Sequence, residues 1–132
     1  MAIVVGYLAT QEGRAALETA AEEAQRRNER LVVVVSGRGD ETDEQRGELD
    51  AALYSVRAEL DARGVAHEVR VLTRGRDVAE DLIGTDEEVR AALIVIGLRR
   101  RSPIGKLILG ANAQRILLDA PCPVLAVKPA AT

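Results

Sequence analysis

The chain has 132 residues, 47% of them hydrophobic and 30% charged, which fits one globular domain spanning residues 1–132. Its net charge of −3, from 18 basic and 21 acidic residues, lacks the basic excess of a general nucleic-acid binder, so nucleic acid is not an expected partner. No apolar stretch approaches the ~20 residues of a membrane span. The first residues run straight into a strand pattern without the regions of a signal peptide, and the single cysteine, Cys122, excludes an intramolecular disulfide. A cytoplasmic location is expected.

The only aromatics are Tyr7 and Tyr54, so the core must be built from Val, Leu, Ile and Ala. In chain order, residues 2–7 are apolar at nearly every position, as expected of a strand buried on both faces. Residues 12–27 follow as a helix, with Ala16, Leu17, Ala20, Ala21 and Ala24 on one face. Its last turn holds Arg26 and Arg27, favourable against the helix dipole. A second buried strand is expected at residues 31–35. The polar stretch 37–44 reads as a loop together with Ser36, because Ser36-Gly37-Arg38-Gly39 lacks the third glycine of a dinucleotide motif. A helix over 43–63 carries the stripe Leu49, Leu53, Val56 and Leu60. Thr42 and Gln45 are placed to form a capping box, and Gly64 to close its end.

Residues 66–72 alternate and read as a half-exposed edge strand carrying the only histidine, His67, as a surface residue. Residues 77–83 suggest a short helix, weakened or broken at Gly84, with a second turn from Thr85. The acidic runs 40–44 and 86–88 read as solvated helix starts. Residues 93–96 form a fourth strand, 111–118 a last helix ended before Pro121, and 124–127 a fifth strand. Cys122, between Pro121 and Pro123, reads as structural. Strands alternating with helices imply an α/β three-layer sandwich around a five-stranded parallel sheet with right-handed crossovers. With the order 3-2-1-4-5, ligands are expected beyond the carboxyl ends of strands 1 and 4.

The segment after strand 4, GLRRRSPIGKLILGAN, is long for a connection of this type. It carries Arg99, Arg100, Arg101 and Lys106 and runs through Gly110 into a helix start. Exposed N–H groups, glycine and arginine together suit an anion or phosphate. A solvated basic loop is the competing reading. Gly105-Lys106 lacks the earlier glycine and the Ser/Thr of a P-loop. One His and one Cys supply no metal cluster of familiar spacing. No acid, base or nucleophile is seen converging on the crevice, which gives no support to an enzyme.

The segment VIGLRRRSPIGKLILGANAQRILLDAPCPVLAVK, with IVVGY, EEAQRR and AALIVIG earlier in the chain, resembles universal stress proteins. The resemblance covers nearly the whole chain. It implies the same sandwich, with an adenine-nucleotide site at a Gly-x2-Gly-x9-Gly-(Ser/Thr) motif and an Asp after strand 1. Gly97 and Gly110 match that motif. Arg100 replaces its middle glycine, Ala111 its Ser/Thr (followed by Asn112), and Leu8 stands in the turn where the Asp is expected. The site expected for ATP or AMP therefore comprises Leu8, Gly97, Arg99, Arg100, Gly110, Ala111 and Asn112. Arg100 adds bulk where backbone should approach phosphate, Ala111 lacks a hydroxyl, and Leu8 lacks an acceptor. These losses point to a weak or degenerate site in a regulatory module that acts through dimerisation and protein partners. The arginine cluster points instead to an ATP-binding switch or slow ATPase. The resemblance also implies a homodimer formed through the strand at residues 123–128, opened by Pro123 and closed by Lys128, whose apolar edge needs covering; a monomer whose edge is covered by the C-terminal tail is the alternative.

Overall fold

Branched aliphatic side chains on successive residues of a strand point to opposite faces, so each run needs a layer on both sides. The computed structural model supplies both layers; it describes residues 1–8, 10–37, 40–72, 77–99 and 111–129. The elements follow the order β1 (Ala2–Gly6), α1 (Gln11–Arg27), β2 (Arg30–Ser36), α2 (Asp43–Ala62), β3 (His67–Leu72), α3 (Val78–Val89), β4 (Ala91–Gly97), α4 (Ala111–Asp119) and β5 (Val124–Val127). The sheet is parallel, in the order β3-β2-β1-β4-β5, as the sequence predicts.

Ile3, Val5, Leu31, Val33, Leu93 and Val95 face α1 and α2, and pack on Ala16, Ala20, Ala24, Leu53, Val56 and Leu60. The alternate set, Val4, Val32, Val34, Ile94 and Ile96, packs with Ala79, Leu82 and Ile116 of α3 and α4. Alanines along α1 let that helix lie close on the sheet. The α2 capping box forms: Gln45 N–H donates to the Thr42 hydroxyl at 3.1 Å, and Thr42 N–H donates to the Gln45 amide oxygen at 2.9 Å. Gly64, with φ of 71°, follows the end of α2. Among the described residues no helix is long and apolar enough to cross a membrane.

Four expectations are corrected. The segment at 77–89 is one helix, α3, running through Gly84. A Cβ at Gly84 would meet nothing within 4 Å, so the glycine costs only its propensity, about 1 kcal/mol. The flanking Leu82, Thr85 and Asp86 are all buried and hold the helix together. Asp86 is accordingly no solvated helix start: it is 3% exposed, and its Oδ1 accepts from Ala91 N–H at 3.1 Å. His67 is not a surface side chain. It is 12% exposed, with Nδ1 2.9 Å from the Val65 carbonyl. Ser36 belongs to the end of β2 rather than to a loop.

The two sheet edges differ in chemistry. β3 carries charges that make it a poor template for another strand. Glu68 pairs with Arg70 on one side and with Arg30 at 3.2 Å, and Arg70 continues to Glu88 at 3.0 Å. The hydrogen bond from Arg70 holds the Glu68 carboxyl below its ordinary range. β5, with sequence VLAV, is half-buried at every position and bears no charge.

Candidate functional site

Adjacent crossovers leaving β1 and β4 in opposite directions open a crevice at the carboxyl ends of those strands. A cavity of about 370 Å³ lies there, within the size range of small-ligand sites. Tyr7 and Leu8 bound it after β1, Gly97, Leu98 and Arg99 after β4, and Ala111 and Asn112 at the start of α4. Of the residues expected at the site, the structure thus brings together Leu8, Gly97, Arg99, Ala111 and Asn112. Arg100 and Gly110, with Arg101 and Lys106, lie outside the described residues.

Two glycines allow the elements to meet so closely. A Cβ at Gly13 would come within 1.9 Å of the Leu8 carbonyl oxygen, and one at Gly97 within 2.3 Å of the Glu12 carbonyl oxygen. The first turn of α1 therefore packs backbone to backbone against the end of both central strands. Thr10 caps that turn, its hydroxyl accepting from Gly13 N–H at 3.2 Å.

The cavity is wider than the expected crevice. It reaches over β2 to Val34 and Ser36, under Val78 and Leu82 of α3, and to Ile116 of α4. Its inner wall is apolar, from Val34, Leu82, Ile96 and Ile116. Its mouth is polar: Arg99 Nε lies 3.3 Å from Glu12 Oε1, with both residues lining the opening. Leu8 is 39% exposed there and offers no hydrogen-bonding group. Arg115 ties the two helices over this side of the sheet, reaching Asp77 at 3.0 Å and Glu80 at 3.4 Å from α4. Burial pushes the Tyr7 phenol above its ordinary pKa, with Arg14 opposing and Glu59 adding to the rise.

Sequence reasoning missed Glu12, Gly13 and Ser36 in the cavity wall, and Asp81 behind it. Asp81 is 7% exposed, and its Oδ2 accepts from the Ser36 hydroxyl at 2.6 Å. A carboxylate among the buried positions of an amphipathic helix is the one signal that marks it in advance, because buried charge requires a partner.

Away from the cavity, Cys122 is half-buried and uncoupled from any disulfide. Burial first, and then the negative charge of Asp86, push its thiol up to about 11.

Comparison with known proteins identifies the architecture. The model of the universal stress protein family matches residues 1–128. A universal stress protein of Mycolicibacterium smegmatis is 46% identical over 127 residues, covering 96% of this chain and 97% of that relative. The structure of a universal stress protein from Archaeoglobus fulgidus superposes with a TM-score of 0.82 at 37% identity, over 97% of this chain and 98% of that one. An Archaeoglobus fulgidus universal stress protein in complex with dAMP gives 0.77 at 31% identity, over 97% and 98% of the two chains. The strand order, the crevice at the ends of β1 and β4 and these matches agree: the chain belongs to the universal stress protein family.

Proposed function

We propose that residues 1–132 form a single regulatory domain of the cytoplasm that binds an adenine nucleotide, ATP or AMP, weakly in the cavity between β1 and β4, and acts through a homodimer and protein partners. The observation that carries this reading is the chemistry of the cavity mouth. Arg99 and the N-terminus of α4 at Ala111 and Asn112 offer charge and backbone N–H groups to phosphate. Leu8 offers nothing to a ribose or base, and Glu12 already occupies Arg99. Each missing polar contact weakens binding by about 1–3 kcal/mol. The dAMP complex of the Archaeoglobus protein supports the choice of an adenine nucleotide.

The dimer in this reading forms through β5. Among the described residues β5 is paired with β4 alone and carries only apolar side chains, in contrast to the charged β3 edge.

Titration calorimetry with Mg-ATP and AMP at low salt tests the proposal, run on the natural protein and on the variant Leu8→Asp, Arg100→Gly, Ala111→Ser. Millimolar binding by the natural protein and tighter binding by the variant are expected. Micromolar ATP binding by the natural protein would overturn the weak site in favour of a nucleotide switch built on arginine. Sedimentation showing a monomer at high micromolar concentration would remove the dimer.

A further inference from the structure

A serine hydroxyl has one hydrogen and two lone pairs, and in this cavity the hydrogen is already committed. Ser36 donates it to Asp81 Oδ2 at 2.6 Å, a short charge-assisted bond to a carboxylate that is 7% exposed. Releasing that hydrogen would strand a buried charge without its donor, so the bond is held in place. Ser36 also lines the cavity. What it turns to a ligand is an oxygen that accepts and does not donate. The position of Ser36 matches the base of a bound nucleotide rather than its phosphate. It sits at the end of β2, two strands from β4 and therefore roughly 10 Å from the Arg99 end. Beside it lie Val34 and Leu82, apolar surface suited to a flat ring.

We propose that Ser36, oriented by Asp81, is a specificity-determining residue that reads a hydrogen-bond donor on the base, so that the cavity takes a purine bearing an exocyclic amine and rejects its keto counterpart. This rests on the nucleotide-binding reading above. A carbonyl oxygen facing Ser36 sets lone pair against lone pair and leaves both unpaired. A site built for one hydrogen-bond polarity discriminates in this way more strongly than an apolar pocket does.

AMP and IMP differ in having an amine or a carbonyl at the same ring carbon, and their dissociation constants, measured by calorimetry at millimolar nucleotide, form the test. The natural protein is expected to bind AMP about 10-fold more tightly than IMP. Ser36→Ala removes the reader, and the ratio is expected to fall to about 2 or less. Asp81→Asn preserves shape; its amide can donate to Ser36 and free the hydroxyl hydrogen to face the ligand, so the ratio is again expected to collapse. This second variant keeps the test decisive if Ser36→Ala does not fold. Equal binding of AMP and IMP by the natural protein would overturn the proposal while leaving the nucleotide site standing. A full ratio retained in both variants would do the same. Failure of both nucleotides to bind would overturn the site and the proposal together.

Discussion

Glu12 and Arg99 face each other across the mouth of the cavity, Oε1 to Nε at 3.3 Å, with Glu12 the more buried partner. The pair holds in reserve the one described arginine that borders the cavity. An incoming phosphate must draw Arg99 away and tolerate the carboxylate left beside it. Glu12→Gln is therefore expected to tighten AMP and ATP binding by about 2–5-fold at low salt, given the modest strength of exposed ion pairs. The gain should shrink as salt screens the mouth. Calorimetry on the two proteins at two ionic strengths checks both points. Unchanged or weaker binding would mean that Arg99 does not meet phosphate.

Gly13 and Gly84 are both glycines inside helices, yet alanine should act on them with opposite sign. At Gly13 the added Cβ collides with the Leu8 carbonyl, while at Gly84 it meets open space. Gly13→Ala should destabilise the fold by about 2–4 kcal/mol, as overpacking against backbone does. Gly84→Ala should stabilise it by about 1 kcal/mol. Urea unfolding of the two variants decides the matter.

Arg90 closes α3 in the left-handed conformation, with φ of 54° and ψ of 65°. A Cβ there costs roughly 1–2 kcal/mol. Arg90→Gly is expected to raise stability by about 0.5–1 kcal/mol after the greater freedom of the unfolded glycine is counted. Thermal unfolding should show a higher midpoint, and a lower one would contradict the strain.

Cys122 should resist alkylation at neutral pH, because only the thiolate reacts and its pKa stands at about 11 through burial and the Asp86 charge. The iodoacetamide rate should climb steeply towards that pH. Asp86→Asn removes the charge that adds to the effect of burial and should shift the rise to lower pH. The same displacement has a sign for stability. An unfolded thiol ionises near 9.0 while the folded thiol keeps its proton to about 11, so its contribution is intact below pH 9 and is lost as pH climbs through that window.

The sheet was legible because buried parallel strands leave unbroken runs such as Val32 to Val35, and because alternation with helices restricts the topology to a few right-handed solutions. Gly84 misled because propensity is a local quantity, whereas burial of Leu82 and Asp86 on either side is settled by the sheet below. Half of the cavity could be read, since Leu8, Gly97, Ala111 and Asn112 follow strands 1 and 4. The rest could not. Ser36 and Asp81 lie 45 residues apart and share no spacing pattern, and their partnership exists only once α3 is laid on β2. The role of Gly13 was invisible for the same reason: the atom that forbids a side chain there belongs to the turn after β1.

A core without tryptophan or phenylalanine has an optical consequence. The chain's ultraviolet emission comes from two tyrosines alone; Tyr7 forms part of the cavity wall, and Tyr54 stands 77% exposed on α2. Tyr54→Phe leaves a single tyrosine in the wall of the crevice. Such a protein would report the arrival of any light-absorbing occupant through its own emission, without an attached dye.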